Sequence, residues 1–134
     1  MPAGYSGTPL AKKLGLKQGG ALYAKGMPDS VRAEIETTVC PRYLTRPNKG
    51  LPAAHVFHTN AAKLEADLIK LRGLLAADGQ VWISWPKKAA KVNTDITEDT
   101  IRRIALPMGF VDVKVCAVDE TWSGLKLVIR KALR

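Results

Sequence analysis

Residues able to do chemistry gather in two short strings of this 134-residue chain. The first runs from Ser84 and Trp85 through Lys87 and Lys88 to Asp95 and Thr97. Two neighbouring ammonium groups, an indole and a helix starting at Thr97 would suit an anionic, phosphorylated or nucleotide-like small molecule. The lysines and the first N–H groups of the helix would hold the anion, and the indole would stack on a base. Structural roles account for the same residues: Trp85 packs on a helix, the lysines are solvated, and Asp95 and Thr97 act as caps. The second string is Asp119-Glu-Thr-Trp-Ser-Gly124, which supplies Asp119, Glu120, Trp122 and Ser123. Two adjacent carboxylates in extended chain point to opposite sides, so they form no acid–base dyad by default. Asp119 and Gly124 equally well set a turn, with Trp122 folded back on a sheet.

Other chemistries are poorly supplied. There is no phosphate-cradling P-loop, no nucleophile elbow and no H-E-x-x-H zinc motif. His55 and His58 are the only histidines. At i, i+3 in a strand they face opposite ways, which places one in the core and the other near the strand end, so no metal is expected. Cys40 and Cys116 are far apart, with neither zinc nor disulfide spacing. Cys116 lies in a strand-like run, where a thiol serves as a small hydrophobe.

Composition sets the frame for these residues. A chain of this length forms one ordinary α/β domain and buries roughly two-thirds of its unfolded surface, so it needs no disulfide or metal to fold. Apolar residues make up 46% and charged residues 25%, as in globular proteins. The first ten residues have no basic start followed by an apolar run, and no stretch is long enough to span a bilayer. A cytoplasmic, membrane-free protein is expected. The net charge of +9 favours anionic partners, nucleic acid among them, although the basic residues are spread along the chain without interleaved aromatics.

The elements that must position the candidate residues follow from periodicity and punctuation. Thr8 and Pro9 open a short helix with Leu10 and Leu14 on one face, closed by Gly15. Ala21–Ala24 reads as a strand, Lys25–Pro28 as a turn, Pro28–Ile35 as a helix and Thr37–Cys40 as a brief strand. Three prolines between Cys40 and Pro52 predict a loop. A strand over Ala54–Thr59 leads to Asn60, the N-cap of a helix whose Leu64, Leu68, Leu71 and Leu75 share one face. Gly79 is expected just past its end, with Lys63 and Asp67 paired outside. Val81–Trp85 is nearly all apolar, as in a strand covered on both faces. Thr97, Glu98 and Asp99 open a helix with Ile101, Ile104, Ala105 and Met108 inward and Gly109 at its end. Residues 110–118 and 124–131 alternate like two antiparallel strands, with Val111, Val113 and Val115 on one side. The expected fold is a three-layer sandwich with a mostly parallel sheet and a terminal antiparallel pair. Its exposed edge would permit dimerisation by strand pairing.

From Ala54 onward this order resembles the second half of a Rossmann-like methyltransferase. The likeness rests on the long helix, the strand opener Ala77-Asp78-Gly79-Gln80-Val81-Trp82, a further helix, Gly109-Phe110 and the terminal pair. Nearly the whole chain also resembles a small bacterial family catalogued only as a domain of unknown function. That likeness is carried by Tyr5-Ser-Gly-Thr-Pro-Leu-Ala-Lys-Lys-Leu-Gly15, Trp85-Pro-Lys-Lys88, Asp95-Ile-Thr-Glu-Asp99 and Val111–Gly124. The kinship implies a fold and no activity.

A methyltransferase-like site would need a glycine-rich turn after the first strand, and Tyr23–Pro28 has one glycine. A carboxylate for ribose hydroxyls is missing around Val39–Arg42. No Asn/Asp-Pro-Pro-aromatic string follows Thr59. The sequence therefore predicts no cofactor, argues against S-adenosylmethionine, and favours a non-catalytic binding or accessory module on a degenerate methyltransferase-like scaffold. By the general rule for open α/β sheets, the ligand edge is at the carboxyl ends of the strands, where Tyr5, Ser6, Lys12 and Lys13 are further candidates to lie.

Overall fold

The computed structural model describes residues 7–134. Six strands form one sheet in the order β2-β1-β3-β4-β6-β5. They are β1 (Ala21–Lys25), β2 (Arg42–Leu44), β3 (Leu51–Phe57), β4 (Leu75–Pro86), β5 (Phe110–Ala117) and β6 (Trp122–Ile129). The first four run parallel, and β6 enters antiparallel between β4 and β5. Helices α1 (Leu10–Lys13) and α2 (Asp29–Glu36) cover one face, while α3 (Ala61–Leu74) and α4 (Glu98–Ala105) cover the other. The expected three-layer α/β sandwich is the observed fold.

Alternation in the central strands divides the core. Ala54 and Val56 of β3 and Val81, Ile83 and Trp85 of β4 pack on Leu64, Leu68 and Leu71 of α3 and on Ile101 and Ala105 of α4. Phe57 and Trp82 point the other way, onto Leu10, Ala11 and Leu14 of α1 and Val31 and Ile35 of α2. Burial on both faces explains why β4 reads as an unbroken apolar run.

Caps behave as their chemistry dictates. Asn60 Oδ1 accepts the Lys63 N–H at 3.0 Å, and Thr97 and Thr100 cap each other's backbone at the start of α4. At α1, Pro9 takes the cap position instead of Thr8: its carbonyl accepts the N–H groups of Lys12 and Lys13, without a side-chain cap.

Several local expectations are corrected. Residues 37–40 form no strand; β2 instead lies inside the proline-rich segment, where Arg42–Leu44 pair with β1 as an edge strand. Edge pairing needs few ladder donors, so flanking prolines do not prevent it. Strand β3 likewise starts earlier, at Leu51, because Pro52 sits where the β3–β4 register shifts. Helix α3 stops at Leu74, and Leu75 is already strand. Gly79 is no helix stop: a Cβ there would stand 2.8 Å from the Leu51 carbonyl oxygen, so it permits the close approach of β4 to β3. Finally, Val111 and Val115 do not share a side, because the β5–β6 register shifts between Asp112 and Lys114, and on this edge strand Val113 and Val115 are 51% and 44% exposed.

Candidate functional site

The chain leaves β1 to place β2 on one side and returns to place β3 on the other. Such a reversal opens a crevice between the carboxyl ends of β1 and β3, the place where open α/β sheets bind ligands. The turn that leaves β1 there is Lys25-Gly26-Met27-Pro28. Gly26 has φ +70°, and a Cβ on it would lie 3.0 Å from the Phe57 carbonyl oxygen at the end of β3. Positive φ and close approach together require glycine. Helix α2 begins directly afterwards at Asp29, so its first-turn N–H groups face this end of the sheet.

A side-chain cluster spans the same two strand ends. Asp67, on α3, accepts Lys25 Nζ at 2.8 Å with Oδ1 and meets His58 Nε2 at 2.6 Å with Oδ2. Asp67 and His58 are only 14% and 9% exposed. Asp67 thereby leaves the outer surface of α3, and the expected Lys63–Asp67 pair does not form. The hydrogen bond that Lys25 donates to Asp67 raises the pKa of its ammonium. Sequence reasoning missed this cluster because its members come from three elements, although the paired histidine and carboxylate nine residues apart were visible.

The structure disperses the first string of sequence candidates. Ser84 is fully buried and bonds His55 Nε2 at 2.7 Å on the α1–α2 side, while Trp85 is buried against α3 and α4. The sheet separates them. Lys87 is half-buried, and Lys88 starts an exposed single turn of 3-10 helix. Asp95 Oδ1 accepts the Ala61 N–H at 2.7 Å, and Thr97 caps α4. Asp95 also borders a cleft of about 320 Å³ with Thr59, Asn60, Asn93 and Thr94, away from the two lysines.

The second string serves its turn. Asp119 Oδ1 accepts the N–H groups of Thr121 and Trp122, and the Trp122 ring meets Phe57 edge-on at 5.1 Å. Ser123 lies opposite Trp85 in the β4–β6 ladder. Glu120 is exposed and borders, with Asp119, Ser30 and Glu34, a cleft of about 320 Å³ between α2 and the hairpin end. Lys13 reaches the Ala117 carbonyl at 3.5 Å on that side and Lys12 is exposed, whereas Tyr5 and Ser6 lie outside the described residues.

Both histidines are buried, His55 within β3 and His58 just past its end. His55 stacks on Phe57 with ring centroids 4.4 Å apart, and its Nδ1 has no partner. Burial lowers its pKa to about 3, so it is neutral. Cys116 is half-buried, and burial raises its thiol pKa against the opposing pull of Lys13 and Lys114. Among the described residues no helix is long and apolar enough to cross a membrane.

No family model matches the chain, and no curated protein matches it either. Solved structures do. A SAM-dependent methyltransferase from Aquifex aeolicus superposes with a TM-score of 0.60 at 12% identity, over 90% of this chain and 87% of that one. A ribosomal protein L11 methylase from Lactobacillus delbrueckii subsp. bulgaricus gives 0.60 at 11% identity, over 90% and 75%. LepI in complex with SAM gives 0.55 at 10% identity, over 90% of this chain and 39% of the larger protein. A second LepI structure holds SAH and a substrate analogue.

These likenesses establish a methyltransferase-like scaffold. They also correct the expectation against S-adenosylmethionine: the same architecture carries that cofactor or its demethylated product in solved complexes. The turn that argued against it holds its one glycine, Gly26, at φ +70° at the end of β1.

Proposed function

We propose that this chain is a small-molecule-binding module on a methyltransferase-like scaffold, and that its ligand is S-adenosylmethionine or a close adenosyl relative. The observation that carries the proposal is Gly26, held at φ +70° against the end of β3 where the strand order reverses. A backbone without a side chain at that point lets a ligand approach the turn closely. The backbone of Gly26 and Met27 and the first-turn N–H groups of α2 would hold it. Thr45 and Arg46 follow β2, so the ribose hydroxyls would need acceptors other than a carboxylate there. S-adenosylmethionine, when bound, supplies an activated methyl group.

Binding without methyl transfer is the finer part of the proposal. Beyond β3, His58 is engaged by Asp67, the Thr59 carbonyl accepts from Thr94 and Asp95, and Asn60 caps α3. Side chains committed to structure support a module that retains the cofactor's place without a catalytic group. Kinship with the bacterial domain-of-unknown-function family, carried by Trp85–Lys88 and Val111–Gly124, belongs to the same proposal.

The test is thermal unfolding with and without millimolar S-adenosylmethionine or S-adenosylhomocysteine. At a hundred times the dissociation constant, a ligand selective for the folded state adds about 2.7 kcal/mol, a rise of several degrees. The amide resonances of Gly26, Met27 and Ser30 should shift on addition. Unchanged midpoints with both compounds, or shifts confined elsewhere, refute the proposal.

A further inference from the structure

The β5–β6 hairpin carries an arrangement that its fold does not need. Asp112 lies opposite Leu127 on the α4 side of the sheet, where Arg102 Nε meets its Oδ2 at 2.9 Å. Strict alternation would put residue 114 on that side too. The register shift around Val113 adds one residue to β5, so Lys114 turns to the α1 side and stands directly opposite Lys126. Bulges re-aim side chains in this way. One cost follows: like charges are set face to face across the pair, which is unfavourable in a sheet.

The surroundings are basic. Lys126 is the cross-strand partner of Trp82 as well, and Lys114 Nζ lies 5.9 Å above the centre of the Trp82 ring. Cys116, on the same side, feels both Lys13 and Lys114. Among the described residues, neither Lys114 nor Lys126 forms an ion pair with a carboxylate. Lys114 is exposed and Lys126 half-buried.

We propose that the α1-facing side of the β5–β6 hairpin, built on the opposed Lys114 and Lys126, is a docking surface for the phosphate backbone of duplex nucleic acid. An approaching row of phosphates relieves the repulsion that the bulge creates, and the chain's excess of nine positive charges supplies long-range attraction. Stacking on unpaired bases is not available there, because the Trp82 indole is buried beneath Lys114. A lipid surface fits less well: Val115 shares the side of Leu125, away from the lysines, whereas an interfacial binder presents apolar and basic groups together.

The experiment is a fluorescence-anisotropy titration of a labelled 20-base-pair DNA duplex of arbitrary sequence against the full chain, over a series of salt concentrations. Wild-type affinity should fall steeply with salt. The double variant Lys114→Glu/Lys126→Glu should bind at least tenfold more weakly, with the log–log salt slope reduced by about two. A control with the same charge change, Lys63→Glu/Lys70→Glu on the exposed side of α3, should keep most of the affinity. Circular dichroism checks that each variant is folded. Absence of duplex binding at low salt overturns the proposal, as does equal weakening by the control, which would make the effect one of net charge. Capture by phosphatidylserine vesicles in preference to the duplex, lost with the two lysines, also overturns it.

Discussion

His55 Nε2 and Ser84 Oγ meet at 2.7 Å across β3 and β4, in a fully buried bond directly beneath the carboxyl edge of the sheet. One imidazole nitrogen is satisfied and the other, Nδ1, has no partner. Packing on Phe57 and Trp82 leaves no room for the charged form to be solvated. The ring is thus a neutral polar wedge in an otherwise apolar layer.

That burial has a pH signature. The His55 pKa falls from 6.5 in the unfolded chain to about 3 in the fold, so between these values the unfolded state binds the extra proton. Stability from this group is complete above pH 6.5 and drains away as pH falls toward 3, at up to about 1.4 kcal/mol per pH unit. His55→Phe keeps the stack on Phe57 and removes the titration. Urea denaturation from pH 7 to pH 4 should show a flatter acid limb for the variant; an identical limb would mean that other groups set it.

Asp67 holds two partners at once, so its loss should be felt twice. Asp67→Ala leaves the largely buried His58 ring without its acceptor and should cost about 1–3 kcal/mol, read as a lower urea midpoint. Asp67→Asn keeps the shape and one acceptor and should cost less. Because the Lys25 pKa is raised, the stability of its pairing is present below pH 10.5 and lost as pH rises beyond it. The alanine variant should therefore lack the wild-type decline above pH 10.5. If the two variants are equally stable to the wild type, the cluster is no anchor for the strand ends.

Much of the architecture was legible because it rests on short-range signals. Leu64, Leu68 and Leu71 mark α3, Asn60 and Thr97 mark helix starts, and the apolar run from Val81 to Trp85 marks a strand buried on both faces. Strand β2 was not legible: three residues beside prolines acquire their structure only from pairing with β1. The site was harder still. Ser84 and Trp85 are adjacent in sequence and therefore lie on opposite sides of the sheet, so a string of chemically able residues need not be a site. The Lys25–Asp67–His58 cluster needs contacts between residues up to 42 apart, which no local pattern encodes.

Two glycines should respond oppositely to the same change. Gly73 lies in the last turn of α3 with nothing within 4 Å of an added Cβ, and Gly73→Ala should stabilise by about 0.4–1 kcal/mol through helix propensity and a less flexible unfolded chain. At Gly79 the added Cβ would meet the Leu51 carbonyl and the Leu75 side chain at 2.8 Å. Gly79→Ala should cost about 1–3 kcal/mol, since backbone must shift to admit it. Thermal midpoints moving in the same direction would contradict the packing described for the start of β4.

Lys114 and Lys126 give a prediction about stability that is separate from docking. Replacing one lysine of the pair by glutamate converts a repulsive cross-strand contact into an attractive one. Opposed charges in such positions contribute roughly 0.2–1 kcal/mol, so Lys114→Glu should raise the thermal midpoint by up to a few degrees at low salt, and less at high salt. The double change Lys114→Glu/Lys126→Glu restores a like-charged pair and should return the midpoint toward the wild-type value. If Lys114→Glu is neutral or destabilising at low salt, its ammonium is held by the Trp82 ring more strongly than it is repelled by Lys126, and the bulge at Val113 then carries no electrostatic cost.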